Sequence, residues 1–160
     1  MDQIMSLLEG FDLAALLPDL QAIFSDIRTW IGMAMMAGPV VLFVIGLVIY
    51  LLPPKEANHR MGFRTFFGMG SVSAWKFTQR IAGAVWGALG LILGIWMYLW
   101  TKDIADLEIV DYVTQALTAL FYQVWAVGIS WAVLHIVPTI FFNHKGIRRW
   151  EPKPRQEPKG

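Results

Sequence analysis

The 160-residue chain contains no cysteine. That absence removes disulfides, thiolate metal sites, cysteine nucleophiles and cysteine-linked lipids together. Charge is also scarce: 16% of residues are charged, 56% are hydrophobic, and mean hydropathy is +0.51. A soluble domain of this size cannot hide so much apolar surface, so an exterior facing lipid is the simplest solution. No basic residue precedes Arg28, whereas Asp2, Glu9, Asp12, Asp19 and Asp26 do. A secretory signal peptide needs a positive n-region and is not expected here. Asp2 also stands where myristoylation requires glycine.

Catalytic signatures are missing as well. There is no HExxH, no intramembrane aspartate pair, and no serine with a histidine in plausible register. Gly68-Met69-Gly70 is a lone GxG without a phosphate-binding helix pattern behind it, and it reads as a turn. The expectation is a non-enzymatic protein with no cofactor.

What the chain does have is three long stretches free of formal charge, with spans at about 30–52, 81–100 and 116–142. Each reaches the roughly 20 residues of helix that cross a bilayer. No alternating strand pattern competes, and helices satisfy their own backbone groups in lipid. The expected fold is an all-α membrane protein: a three-transmembrane-helix bundle, residues 30–142, with an N-terminal amphipathic helical segment. That segment, residues 1–29, places Ile4, Leu7, Leu8 and Phe11, then Leu20, Ile23, Phe24 and Ile27, at helical spacing. Pro18 is expected to separate two short helices lying on the outer surface or over the bundle mouth. Residues 53–80 form a basic interfacial loop, and residues 143–160 a basic tail expected to be disordered.

Charge segregation sets the orientation. The 53–80 loop carries Lys55, Arg60, Arg64, Lys76 and Arg80 against Glu56 alone. The tail carries Lys145, Arg148, Arg149, Lys153, Arg155 and Lys159 against two glutamates. The other side holds only Arg28 and Lys102 against nine acids, so basic residues divide eleven to two. The positive-inside rule then puts the N-terminus outside and the C-terminus in the cytoplasm. Trp30, Tyr50, Trp96, Tyr98, Trp100, Tyr112 and Trp150 fall near span ends, where amphipathic rings anchor in the headgroup layer.

Within the second span, Gly83, Gly87, Gly90 and Gly94 are spaced four, three and four, which puts them on one face. Two readings follow: packing against the other spans of the same molecule, or homodimerisation. Gly38-Pro39 predicts a kink in the first span. His135 is the one titratable group well inside the apolar stretches apart from aromatic hydroxyls. It reads either as a neutral histidine bonded to a neighbouring helix or as an intramembrane polar site. A haem cage needs a second intramembrane histidine, and His59 and His144 lie in polar flanks.

The 53–80 loop interleaves Met61, Phe63, Phe66, Phe67, Met69, Val72, Trp75 and Phe77 with its five cations. Such a mixture suits a loop in the interface, with rings in lipid and cations at phosphates. Apposition to the membrane argues against nucleic acid. Ser73 before Ala-Trp-Lys reads as the N-cap of the second membrane helix.

Here the sequence resembles the SdpI family of small bacterial membrane proteins. The resemblance rests on Asn58 after a proline-containing helix end, then Gly62, Arg64 and Thr65 as G-x-R-T, a turn, Trp75 opening the next span, and Gly83. It covers residues from about 35 to 135, with the motif itself in about 25 of them. Gln79 stands near where the family commonly has asparagine, and an acidic amphipathic segment precedes the first span. The resemblance implies immunity to a secreted peptide toxin and sequestration of a cytosolic repressor at the bacterial inner membrane. On that model Asn58, Arg60, Gly62, Arg64, Thr65 and Trp75 meet a partner or lipid headgroups. Arg64 serves as a rigid fork, Gly62 for its backbone conformation, and Trp75 as an anchor. The competing class is an accessory subunit of a larger membrane complex, docked through the glycine face. A transporter or channel component ranks below both, because no span carries the polar lining of a pore.

Overall fold

The computed structural model describes residues 13–55 and 62–150, with side-chain contacts from residue 22 onward. Among the described residues there are three α-helices: α1 (Leu13–Leu51), α2 (Val72–Asp103) and α3 (Ile109–Phe141). The candidate span within α1, Ala22–Leu51, has 30 residues, and α2 and α3 have 32 and 33; all are long and apolar enough to span a membrane. At 1.5 Å per residue such helices exceed a hydrocarbon core of about 30 Å, so they tilt or project beyond it. The α1–α2 connection and the residues after α3 lie at one end, here the basic end. The α2–α3 connection, with Asp106 and Glu108, lies at the acidic end.

Helix α1 runs unbroken through Pro18, so no pair of short helices is separated there. Residues 1–12 of the expected amphipathic segment lie outside the described residues. Helix α2 begins nine residues before the expected span, at Val72, which shortens the connecting loop. Its N-cap is Ser71, not Ser73: the Ser71 hydroxyl accepts from the Ala74 N–H at 3.1 Å. Helix α3 continues through Pro138.

Helices α1 and α2 pack antiparallel at backbone distance. Pro39, Phe43, Gly46 and Tyr50 on α1 oppose Gly94, Gly90, Gly87 and Gly83 on α2, with spacings of four, three and four on both helices. A Cβ added at Gly46 would fall on the Gly87 backbone, one at Gly90 on the Phe43 backbone, and one at Gly83 within 2.6 Å of Tyr50 N. Lipid tails are as apolar as leucine, so this close van der Waals approach, and not hydrophobic exclusion, drives the pairing. The glycine face of α2 is thus occupied by α1 of the same chain. Outward of this seam, Val40, Val41, Val44, Ile92, Ile95, Val124 and Ile136 are exposed, as lipid-facing residues must be.

Helix α3 is held by two buried clusters and by the Gln123 amide, which donates to the Met35 carbonyl of α1. At the acidic end Met35, Met97, Ile104, Tyr112, Ala116 and Ala119 form a buried cluster. There the Arg28 guanidinium donates to the carbonyls of Ala105 and Leu107, while the Tyr112 hydroxyl donates back to the Arg28 carbonyl at 3.0 Å. Tyr112 is therefore a buried tie between α1 and α3 and not a headgroup anchor, whereas Trp30, Tyr50, Tyr98 and Trp150 are exposed. At the basic end Phe63, Ala82 and Leu134 form a second cluster.

Candidate functional site

The basic end is built from residues 62–71 and 143–150, which brace one another. Gly62 has φ of +107°, and a Cβ there would lie 2.7 Å from Gln79 Oε1 and 2.9 Å from the Trp75 ring. Both the left-handed backbone and the lack of space demand glycine. One residue later, Gln79 grips the loop with both ends of its amide. Its Oε1 accepts from the Phe63 N–H at 2.8 Å, and its Nε2 donates to the Phe63 carbonyl at 2.7 Å. Gln79 is fully buried, so this pairing removes two backbone groups and one side-chain amide from the list of unsatisfied polar atoms.

Trp75 is also fully buried, and its indole N–H donates to the Pro54 carbonyl at 2.8 Å. It ties the exit of α1 to the start of α2, which corrects the expectation of a headgroup anchor. Thr65 is likewise buried; its hydroxyl accepts from the Gly68 N–H at 2.9 Å and starts the 3₁₀ turn Gly68–Gly70. Thr65 and Trp75 therefore shape the loop from inside, out of reach of a partner or headgroup, and half-buried Gly62 shapes it through its backbone. Arg64, between two buried neighbours, is exposed, as is Phe66. Asn58 and Arg60 lie outside the described residues.

Residues 143–150 are ordered, against the expectation of a disordered tail from 143; residues 151–160 lie outside the described residues. Asn143 Oδ1 accepts from the N–H groups of Lys145 and Ile147, and Phe142 bridges to Arg148. Gly146, at φ +68°, lets this turn sit on Gly70 and Ser71, and the Ser71 hydroxyl donates to the Gly146 carbonyl at 2.7 Å. The helix-capping serine thus also fastens the segment that follows α3.

Around this frame stand the exposed cations Lys55, Arg64, Lys76, Arg80, Lys145, Arg148 and Arg149. Among the described residues of this end there is no carboxylate. Exposed Phe66, Ile147 and Trp150 alternate with the cations. Summed charge of one sign on a stiff surface produces a potential that attracts acidic proteins and anionic headgroups alike.

His135 is half-buried beside this end. Its Nδ1 lies 2.9 Å from the Trp131 carbonyl of its own helix, so its hydrogen bond is not to a neighbouring helix as expected. A carbonyl only accepts, so Nδ1 carries a proton. The ring packs on Trp131 and on Phe63, at 4.0 and 5.0 Å between centroids.

Sequence reasoning missed Gln79, Ser71, Asn143 and Gly146 as braces of this end. The one legible signal was a glutamine placed one helical turn after Trp75, on the face that turns inward.

A polytopic helical membrane protein with a braced, cationic loop pair at one end is the class these features define. A family model described as the SdpI/YfhL protein family matches residues 55–141, more than half of the chain, and the chain belongs to that family. Neither the curated proteins nor the solved structures yield a match.

Proposed function

We propose that this SdpI/YfhL-family protein acts without catalysis in the bacterial cytoplasmic membrane, as an immunity protein against a secreted peptide toxin and a tether for a cytosolic repressor. The observation that carries this reading is the braced basic end, in which Gly62 and buried Thr65, Trp75 and Gln79 frame an exposed Arg64. A surface stiffened before binding loses little conformational entropy when a partner arrives. Seven cations suit a regulator with carboxylates on its surface, and the planar fork of Arg64 suits a bidentate contact. The excess of lysine and arginine supports a cytoplasmic placement of this end, with the N-terminus outside. Phe66 and Trp150 at its rim suit insertion among headgroups, which would hold the platform against the bilayer.

Mild-detergent affinity purification from the native host, with co-purifying species identified by mass spectrometry, tests the reading. Wild-type protein is expected to retain a cytosolic repressor or a secreted peptide. Arg64→Ala should lower recovery by about tenfold or more, the scale of one lost charge-assisted fork. An Arg64→Ala strain that stays normally protected against the toxin overturns the role given to this loop. Stoichiometric recovery of a larger membrane complex would instead make the chain an accessory subunit. Such a complex has to dock elsewhere than on the glycine face, which α1 already covers.

A further inference from the structure

The turn that follows α3 closes a small pocket against the first turns of α2. The Asn143 N–H donates to the Ile147 carbonyl at 2.9 Å, and the Arg149 N–H to the Phe141 carbonyl at 3.1 Å, so the chain folds back beside the end of α3. That return brings Arg148 and Trp150 to Phe141 and to Phe77 of α2, and these four residues line a cavity of about 250 Å³. Its rings form a continuous wall. Phe77 and Phe141 lie 5.1 Å apart between centroids, and Phe141 meets Trp150 edge to face at 5.6 Å. Arg148 is the one charged group of the lining, and among the described residues its guanidinium makes no hydrogen bond or ion pair.

The chain itself sets the level of this pocket. Exposed Ile136, Ile140 and Phe141 carry the lipid-facing side of α3 to its last residue, and exposed Lys145, Arg148 and Arg149 follow directly. Apolar side chains favour hydrocarbon and cations avoid it, so the headgroup layer begins between the two sets. We propose that the pocket is a site for one anionic phospholipid of the phosphatidylglycerol type, with its phosphate on Arg148 and its glycerol and first methylenes on the three rings. A guanidinium fork pairs with two phosphate oxygens at once. The cavity is smaller than the roughly 300–1,000 Å³ that encloses a whole small ligand, so the acyl chains continue outside it along exposed Ile140. A zwitterionic lipid brings the same phosphate but adds an ammonium. That group meets Lys145 and Arg149, with no carboxylate among the described residues of this end to receive it. An acidic peptide or free phosphate satisfies Arg148 and leaves the rings uncovered. The site uses none of the residues that frame Arg64, and it stands whether or not a protein binds there.

Native mass spectrometry of the full chain, delipidated in mild detergent, tests the proposal. Phosphatidylglycerol and phosphatidylethanolamine with matched acyl chains are the probes, and the affinity for the first bound lipid is the readout. Wild-type protein should bind phosphatidylglycerol about tenfold more tightly, the scale of one charge-assisted fork. Arg148→Gln should reduce that preference to about twofold or less, with helix content and thermal profile unchanged because the side chain is exposed and holds nothing else. Lys55→Gln removes the same charge from the same end outside the pocket and should leave the preference intact. Trp150→Ala should weaken the first binding step for both lipids. Equal affinity of the two lipids for the wild-type chain overturns the proposal. So does an equal loss in Arg148→Gln and Lys55→Gln, which would reduce the effect to net charge. Displacement of the lipid by millimolar glycerol phosphate would assign the pocket to a soluble anion instead.

Discussion

Gln123 donates its amide hydrogen to the Met35 carbonyl, the group left without its helical partner because residue 39 is proline. In a regular helix the N–H of residue 39 would close that bond; Pro39 has none to give. The vacancy is filled from another helix, one of the ways in which proline is accommodated in membrane helices. Helix α1 therefore passes Gly38-Pro39 without interruption, and α3 is pinned to it at the defect.

The repair is testable by a double-mutant cycle. Gln123→Leu should destabilise the bundle by about 1–2 kcal/mol in mixed-micelle unfolding, the range for a buried polar group losing its partner in this setting. In a Pro39→Ala background, where residue 39 regains its N–H, most of that cost should vanish. Additive effects of the two substitutions would refute the link.

Gln79 makes a second, separable prediction. Gln79→Ala leaves the Phe63 N–H and carbonyl without partners inside the protein, at about 1–3 kcal/mol for each buried group. Hydrogen exchange should accelerate across residues 62–71 while the middles of α1 and α2 stay protected. Uniform exchange changes throughout the chain would show that the clamp is not local.

The glycines of the α1–α2 seam differ from one another in a way that substitution reads out. Gly46→Ala should prevent normal packing, because its Cβ falls on the Gly87 backbone, whereas Gly87→Ala meets nothing nearer than 3.9 Å. Gly128→Leu should be silent, with nothing within 4 Å of its Cβ. Thermal profiles in detergent that rank these three alike would overturn the packing described.

Docking of residues 143–150 depends on Gly146. Gly146→Ala places a Cβ 2.5 Å from the Gly70 carbonyl carbon on a backbone with φ of +68°, so the turn should lift off. Trypsin cleavage at Arg148 and Arg149 should then quicken by about tenfold, following the larger open population, with the helices unaffected. Unchanged cleavage would mean that the segment is held by other contacts.

Several of these features were legible early and others were not. The three spans, the clustering of cations at one end and the single glycine face of α2 are local regularities of composition and period. Gly62 was read correctly as a backbone requirement. Trp75 and Tyr112 were misread, because a ring near a span end serves equally well as a headgroup anchor or a buried tie, and only its neighbours decide. Ser71 and Ser73 carry the same capping chemistry two residues apart, and only the backbone shows that Ser71 caps α2 while Ser73 lies inside it. The 143–150 segment read as disordered since its order comes from Gly70 and Ser71, about 75 residues away in sequence.

The sequence by itself determined that the chain crosses a membrane three times, because in lipid each helix closes its own backbone hydrogen bonds and only length and apolarity are needed. Tertiary structure decided which helix covers the glycines, what repairs the break at Pro39, and that Thr65, Trp75 and Gln79 point inward while Arg64 stays exposed. The physical reason is that lipid offers apolar side chains no preference among neighbours. Specific pairing therefore falls to close backbone contact and a few buried amides, joining residues 16 and 88 positions apart in the two clearest cases.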